Sequence, residues 1–265
     1  MIILIVTVLF VSCDDRLELT GYEKLVAPKI ILVIGQSNTH SGEGLDSLLD
    51  APQDGIYQLG RFGDNNYRIS LATEPLEHHS RQDNKIGFAL TFSKLLGAHL
   101  NNQHDILIVP CGSRGTGFID NRWNRTNDLY DDAVQRVNTI LNEVPESSLI
   151  AVLWHQGEKD VNNERYRETL DRFVKDIRTD LKDPATPFIM GGMVPYWVSK
   201  DSARLKHQEI LKDTPRRHFN LGYADPKIPF RIEKVDNTIE EIHFDAVGQR
   251  ELGRRYFEQF LTINQ

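Results

Sequence analysis

The ten residues Lys29 to Asn38, KIILVIGQSN, decide how this chain is read. Ile30, Ile31, Leu32, Val33 and Ile34 form an unbroken apolar run, mostly β-branched, which is the pattern of a strand buried on both faces of a parallel sheet. Gly35 ends the run and delivers Gln36, Ser37 and Asn38 to the strand's carboxyl end, the edge of an open α/β sheet where ligands bind. Ser37 is on this ground a candidate nucleophile. A lone serine in a strand-ending turn is ordinary, so other chemistry has to converge on it.

Outward from this strand the pattern repeats. Asp105 to Pro110 (DILIVP), Leu149 to Trp154 (LIAVLW) and Pro187 to Val194 read as further buried strands, and Phe219 to Ala224 as a short strand or loop. Between them, Gly87 to Leu100, Asp128 to Asn142, Asn162 to Leu181, Ser202 to Leu211 and Asp245 to Leu261 carry apolar residues at helical spacing. The segment from Thr39 to Pro75 is rich in Gly, Asn and Asp and reads as loops around one strand at Ile56 to Leu59, a wall for a substrate cleft. Strands alternating with helices predict an α/β fold, a three-layer α/β/α sandwich with a central parallel sheet. Three polar clusters follow predicted strands: Gln36 to Asn38, Gly112 to Gly117, and His155 to Glu158. They should meet at one sheet edge.

The chain has 265 residues and a net charge of −7, with no linker-like stretch that would divide it. One domain over 29–265 is expected, preceded by a tether over 14–28. Lys and Arg are scattered rather than massed, which argues against a nucleic-acid partner. Met1 to Ser12 is apolar, too short to span a bilayer, and reads with Cys13 as a signal peptide over 1–13. Ser12 before Cys13 resembles the lipobox of bacterial lipoproteins. That resemblance implies lipidation at Cys13 and export across the inner membrane as an envelope lipoprotein, periplasmic or surface-facing, touching the membrane only through its lipid. Cys111 then has no partner and reads as a small buried hydrophobe. His40, His78, His79 and His155 show no ligand spacing, and the Gly112–Gly117 loop lacks the P-loop lysine, so neither metal nor cofactor is expected. Trp123, Tyr196 and Trp197 read as packing residues before sugar-stacking ones.

A serine nucleophile needs a base, a group to orient that base, and donors for the oxyanion. Glu240, Glu241, Ile242 and His243 stand just before the last helix, and a carboxylate three residues ahead of an imidazole can fold back onto the ring. At these residues the chain resembles the SGNH (GDSL-type) hydrolases, in the branch of the sialate O-acetylesterases and carbohydrate esterase family six. Gly35, Gln36, Ser37 and Asn38 match its GQSN block. Pro110, Cys111, Gly112, Gly115 and Thr116 resemble its PCxxGGT loop, Trp154 to Glu158 match WxQGE, and His243, Phe244, Gly248 and Gln249 match its terminal HF block.

The resemblance implies Ser37 as nucleophile, His243 as general base and Glu240 as the orienting acid, where the family usually has Asp; Glu241 and Glu158 stand as alternatives. It implies an oxyanion hole of the Ser37 and Gly115 backbone N–H groups and the Gln156 side-chain amide. Gln36, Asn38, Arg114 and Glu158 are expected to support the site or touch substrate, and Arg114 replaces a family glycine. The implied activity is removal of O-acetyl groups from a carbohydrate, an acetylated polysaccharide or sialic acid, through an acyl-enzyme and without a cofactor. Two rivals are an esterase or thioesterase for other short acyl groups and a non-catalytic glycan-binding lipoprotein.

Overall fold

The computed structural model describes residues 18–234, 236, 238 and 240–264. The expected signal peptide and Cys13 lie outside the described residues. Nine strands and six α-helices run in the order β1 (Lys29–Gly35), β2 (Gly42–Glu43), β3 (Ile56–Leu59), β4 (Ile69–Leu71), β5 (Lys85–Ile86), α1 (Ala89–His99), β6 (Ile106–Pro110), α2 (Asp128–Glu143), β7 (Ser148–His155), α3 (Tyr166–Asp180), β8 (Phe188–Gly191), α4 (Pro195–Ser199), α5 (Ser202–Asp213), β9 (Leu221–Ala224) and α6 (Ala246–Ile263), among the described residues.

The KIILVIG stretch lies in the middle of a seven-stranded sheet ordered β4-β3-β6-β1-β7-β8-β9. β1 pairs in parallel with β6 and with β7, and Ile30 to Ile34 are fully buried, as a strand covered on both faces requires. At roughly 1.5–3 kcal/mol for each fully buried large apolar side chain, these five residues are a main source of the sheet's stability. The α/β/α layering follows from the pleat, because adjacent side chains point to opposite faces. On β7, Trp154 packs against Phe173 of α3 with ring centroids 4.6 Å apart. The next residue, His155, turns to the other face, toward Phe88 and Tyr256. There α1 and α6 pack together, with Phe92 edge-on to Phe257 and Phe260. Tyr130 of α2 meets Phe173 on the first face. Trp123 is fully buried beside Trp154, the packing role expected of it.

The parallel sheet is borne out with one departure at its edge. β4 pairs antiparallel with β3, and β2 pairs with β5 in a separate two-stranded ribbon. β2 and β4 lie in the stretch whose sequence reads as loop, and β5 lies in a stretch that shows no pattern, because two or three residues are too few to show a period of two. α4, at five residues, is likewise too short to show a helical period. The remaining helices and strands fall where apolar spacing places them, with ends displaced by a few residues.

Two local features aim the chain at the site. Gly35 has φ +125°, and a Cβ there would run into the carbonyl of His155. Glycine therefore lets the ends of β1 and β7 close together, sealed by the Gln36 N–H donating to the His155 carbonyl at 2.8 Å. At the other end of the chain, Asp245 caps α6 by accepting from the Gly248 N–H at 2.8 Å, which fixes where the segment carrying His243 enters the helix.

Candidate active site

Ser37 opens a single 3-10 turn, Ser37–Thr39, directly after β1. Its Oγ lies 2.9 Å from His243 Nε2, across 206 residues of sequence. The other ring nitrogen, Nδ1, faces Glu240 Oε2 at 3.3 Å. The nucleophile, base and acid expected from sequence are thus brought into one line. Of the two alternative acids, Glu241 instead receives Lys200 Nζ at 2.6 Å at the surface. Glu158 lies on the far side of Asn38, whose Nδ2 donates to its Oε1 at 2.6 Å. Neither carboxylate is bonded to the His243 ring.

The electrostatics suit a base. Burial holds the His243 imidazole below its ordinary value against the opposing pull of Glu240, and the Arg114 and Lys85 cations lower it further. The ring is therefore neutral near pH 7 and able to accept a proton. Glu240 is held below the usual carboxylate range, chiefly by the hydrogen bond from Lys85 Nζ at 3.0 Å, so it carries charge. Burial pushes Glu158 up to about 7.

A cleft of about 500 Å³ opens over the pair, lined by Gln36, Ser37, Arg114, Gly115, Glu158, Lys159, Ile242 and His243. The loop after β6 forms one wall. It is tied at one end by the Ser113 N–H donating to the Gly35 carbonyl at 2.9 Å. At the other end the Phe118 and Ile119 N–H groups each donate to Asp160 at 2.8 Å. Arg114 and Gly115 project between these anchors, Gly115 at φ +66°. The Gly115 N–H has no acceptor among the described residues. Ser37 begins its turn, so the turn leaves its N–H unpaired as well. These are two of the three oxyanion donors expected.

The third is not brought to the cleft. Gln156 is fully buried, its Nε2 donates to Asp160 Oδ2 at 2.6 Å, and its Oε1 accepts from Tyr166 Oη at 3.0 Å. The reason is Asp160, a fully buried carboxylate that would be costly without donors. It collects four: the Phe118 and Ile119 N–H groups, Gln156 Nε2, and Asn163 Nδ2 at 3.0 Å. One N–H of the Gln156 amide is committed to that anchor, and the side chain does not line the cleft. Gln36 is also structural in part, its Oε1 accepting from the Lys159 N–H at 3.1 Å. Asn38 is a supporting bracket: its Nδ2 donates to the Ile242 carbonyl at 3.0 Å and its Oδ1 accepts from the Phe244 N–H at 3.1 Å.

Sequence reasoning missed Asp160, Lys85 and a histidine pair. His40 and His78 stack with centroids 4.6 Å apart, and the Gly112 N–H donates to His78 Nδ1 at 2.9 Å, steadying the start of the β6 loop. Burial lowers both, His40 to about 3, so the pair is uncharged. Among the described residues no cluster of three or more His, Cys, Asp or Glu could hold a metal ion. Cys111 is buried, and burial pushes its thiol up to about 12, well away from a reactive thiolate.

Comparison with known proteins agrees with this geometry. The family profile described as carbohydrate esterase, sialic acid-specific acetylesterase matches residues 27–262. A probable carbohydrate esterase of Arabidopsis thaliana is 30% identical over 183 residues, 61% of this chain and 67% of that protein. A probable 9-O-acetyl-N-acetylneuraminic acid deacetylase of Escherichia coli K12 is 27% identical over 224 residues, 63% of this chain and 68% of that protein. Among solved structures, the crystal structure of NanS superposes with a TM-score of 0.75 at 22% identity, covering 89% of this chain and 97% of its own, which speaks to the fold. The family match begins before Ser37 and ends beyond His243, and on it the chain belongs to the sialic acid-specific acetylesterase family of carbohydrate esterases, which are carboxylic ester hydrolases.

Proposed function

We propose that the protein removes O-acetyl groups from an acidic glycan of the sialic acid type by way of an acyl-enzyme on Ser37. The observation that carries this reading is the 2.9 Å contact between Ser37 Oγ and a His243 ring whose far nitrogen meets Glu240. In this reading Ser37 Oγ attacks the acetyl carbonyl carbon as its proton passes to His243 Nε2. The Ser37 and Gly115 N–H groups receive the charge that develops on the carbonyl oxygen. Collapse breaks the ester bond, and His243 returns the proton to the departing sugar oxygen. Water, deprotonated by the same nitrogen, then attacks the acetyl-serine, and acetate is released as His243 returns that proton to Ser37 Oγ.

The preference for an acid sugar is supported by the charges at the cleft. Arg114 and Lys159 both line it, both are exposed, and neither has an ion-pair partner among the described residues. A carboxylate on the substrate would pair with them. We further propose, from residues 1–13, that the protein is exported as an envelope lipoprotein and meets its glycan outside the cytoplasm. The substrate reading is tested by acetate release from O-acetylated sialic acid and from acetylated xylan. Preference for the acidic substrate that is lost in Arg114→Ala supports it, and equal turnover of both by the parent protein contradicts it.

A further inference from the structure

Glu158 is a buried carboxyl at the base of the cleft that the mechanism above does not use. Its side chain is 0% exposed, and its Oε2 has no hydrogen-bond partner among the described residues. Its nearest imidazole, His155, has Nε2 at 3.9 Å from Oε1 and does not donate to it. The tautomer explains why. Tyr256 Oη donates to the Trp154 carbonyl at 2.7 Å, so its contact with His155 Nδ1 at 3.2 Å is one in which Nδ1–H donates to the phenol oxygen. His155 Nε2 is then a lone pair, and burial lowers this ring to about 3, so it stays neutral. The side chain that satisfies Glu158 is Asn38, at 2.6 Å.

Asn38 sits between the two halves of the proposed machinery. It follows Ser37 in the chain, its amide grips the Ile242 carbonyl and the Phe244 N–H on either side of His243, and its own carbonyl accepts from Gln249 Nε2 at 3.0 Å. Only one orientation of that amide satisfies all these partners. A flipped amide would set its oxygen against the Ile242 carbonyl and Glu158, and its NH2 against the Phe244 N–H. Glu158, a side-chain acceptor buried at the nitrogen end, joins the Ile242 carbonyl and the Phe244 N–H in fixing that orientation.

We infer that Glu158 is a positioning residue: through Asn38 it holds the backbone on both sides of His243 so that the imidazole meets Ser37. This rests on the reading of Ser37 and His243 as nucleophile and base. Glu158 acts as an acceptor, not as a charge on the ring, and its carbonyl oxygen can serve Asn38 in the acid or in an amide.

The experiment measures kcat and KM on 4-nitrophenyl acetate for Glu158→Ala, Glu158→Gln, Asn38→Ala and the Asn38→Ala/Glu158→Ala double variant, with thermal unfolding recorded for each. Glu158→Ala should lower kcat by about 100-fold with KM little changed, the scale expected of a small displacement of a reacting group. Glu158→Gln should recover most of that loss, since its carbonyl still accepts from Asn38. In the Asn38→Ala background the loss of Glu158 should add no more than about twofold, as for residues acting in one chain of contacts. If Glu158→Ala does not fold, Glu158→Met, which keeps the bulk and removes the acceptor, takes its place. Equal losses in Glu158→Gln and Glu158→Ala would overturn the inference, as would additive losses in the double variant or an unaffected Glu158→Ala. None of these outcomes bears on Ser37, whose own substitution tests the underlying reading separately.

Discussion

Lys85 donates to Glu240 at 3.0 Å, and it does so at Oε2, the same oxygen that faces His243. The acid of the constellation is therefore shared between a lysine on the small β2–β5 ribbon and the imidazole. Lys85 keeps Glu240 charged, yet its own positive charge also lowers His243. The ribbon, two residues per strand, thus tunes the imidazole proposed as the base.

This sets the sign of a pH effect. His243 must be neutral to accept the Ser37 proton, so kcat/KM falls as pH drops through the His243 pKa, which lies below its ordinary value. Lys85→Met removes a cation that lowers that pKa and leaves Glu240 Oε2 to the imidazole alone. Both changes favour the protonated ring. The acidic limb of the kcat/KM profile should move to higher pH in Lys85→Met, and a limb that stays or moves lower would contradict the arrangement.

The two neighbouring glutamates should behave differently. Glu240→Ala leaves the His243 ring without its partner and should lower kcat by roughly 100-fold. This is less than a fully buried triad acid would cost, because the Glu240 side chain is 44% exposed and its contact is 3.3 Å. Glu241→Ala breaks only a surface pair with Lys200 and should stay within about twofold of the parent rate. Steady-state kinetics on one ester substrate distinguishes them, and the reverse order would move the acid to Glu241.

Asp160 should matter to stability before chemistry. Asp160→Ala strands the Phe118 and Ile119 N–H groups and frees the Gln156 amide. At about 1–3 kcal/mol for each buried donor left unpaired, the loss in unfolding free energy should reach about 3 kcal/mol. Urea unfolding at constant m-value measures it, and a change below about 0.5 kcal/mol, the size of an ordinary surface substitution, would show that the anchor is not structural.

Much of this was legible in the sequence, for identifiable reasons. Ile30 to Ile34, the LIAVLW strand and the faces of α2 and α3 carry enough residues to show their period. Ser37 and His243 stand in motifs beside strong element boundaries. The short pieces were not legible. β2, β4, β5 and α4 are too brief for periodicity, and their pairing is decided by what lies opposite them. Gln156 illustrates the same limit inside the site. Its motif predicts an oxyanion donor, but the direction of a side-chain amide depends on its bonding partner. That partner, Asp160, stands four residues further on with nothing in the local pattern to mark it as the anchor of the β6 loop. Lys85 is likewise 155 residues from Glu240.

Ser37 as the nucleophile of an ester hydrolase is tested by acetate release from an O-acetylated sialic acid, compared between the parent protein and Ser37→Ala. The parent should turn over and the variant should lose about 10⁴-fold or more, the scale seen when a triad nucleophile is removed, with the folded state retained. A Ser37→Ala protein that releases acetate at the parent rate would contradict it.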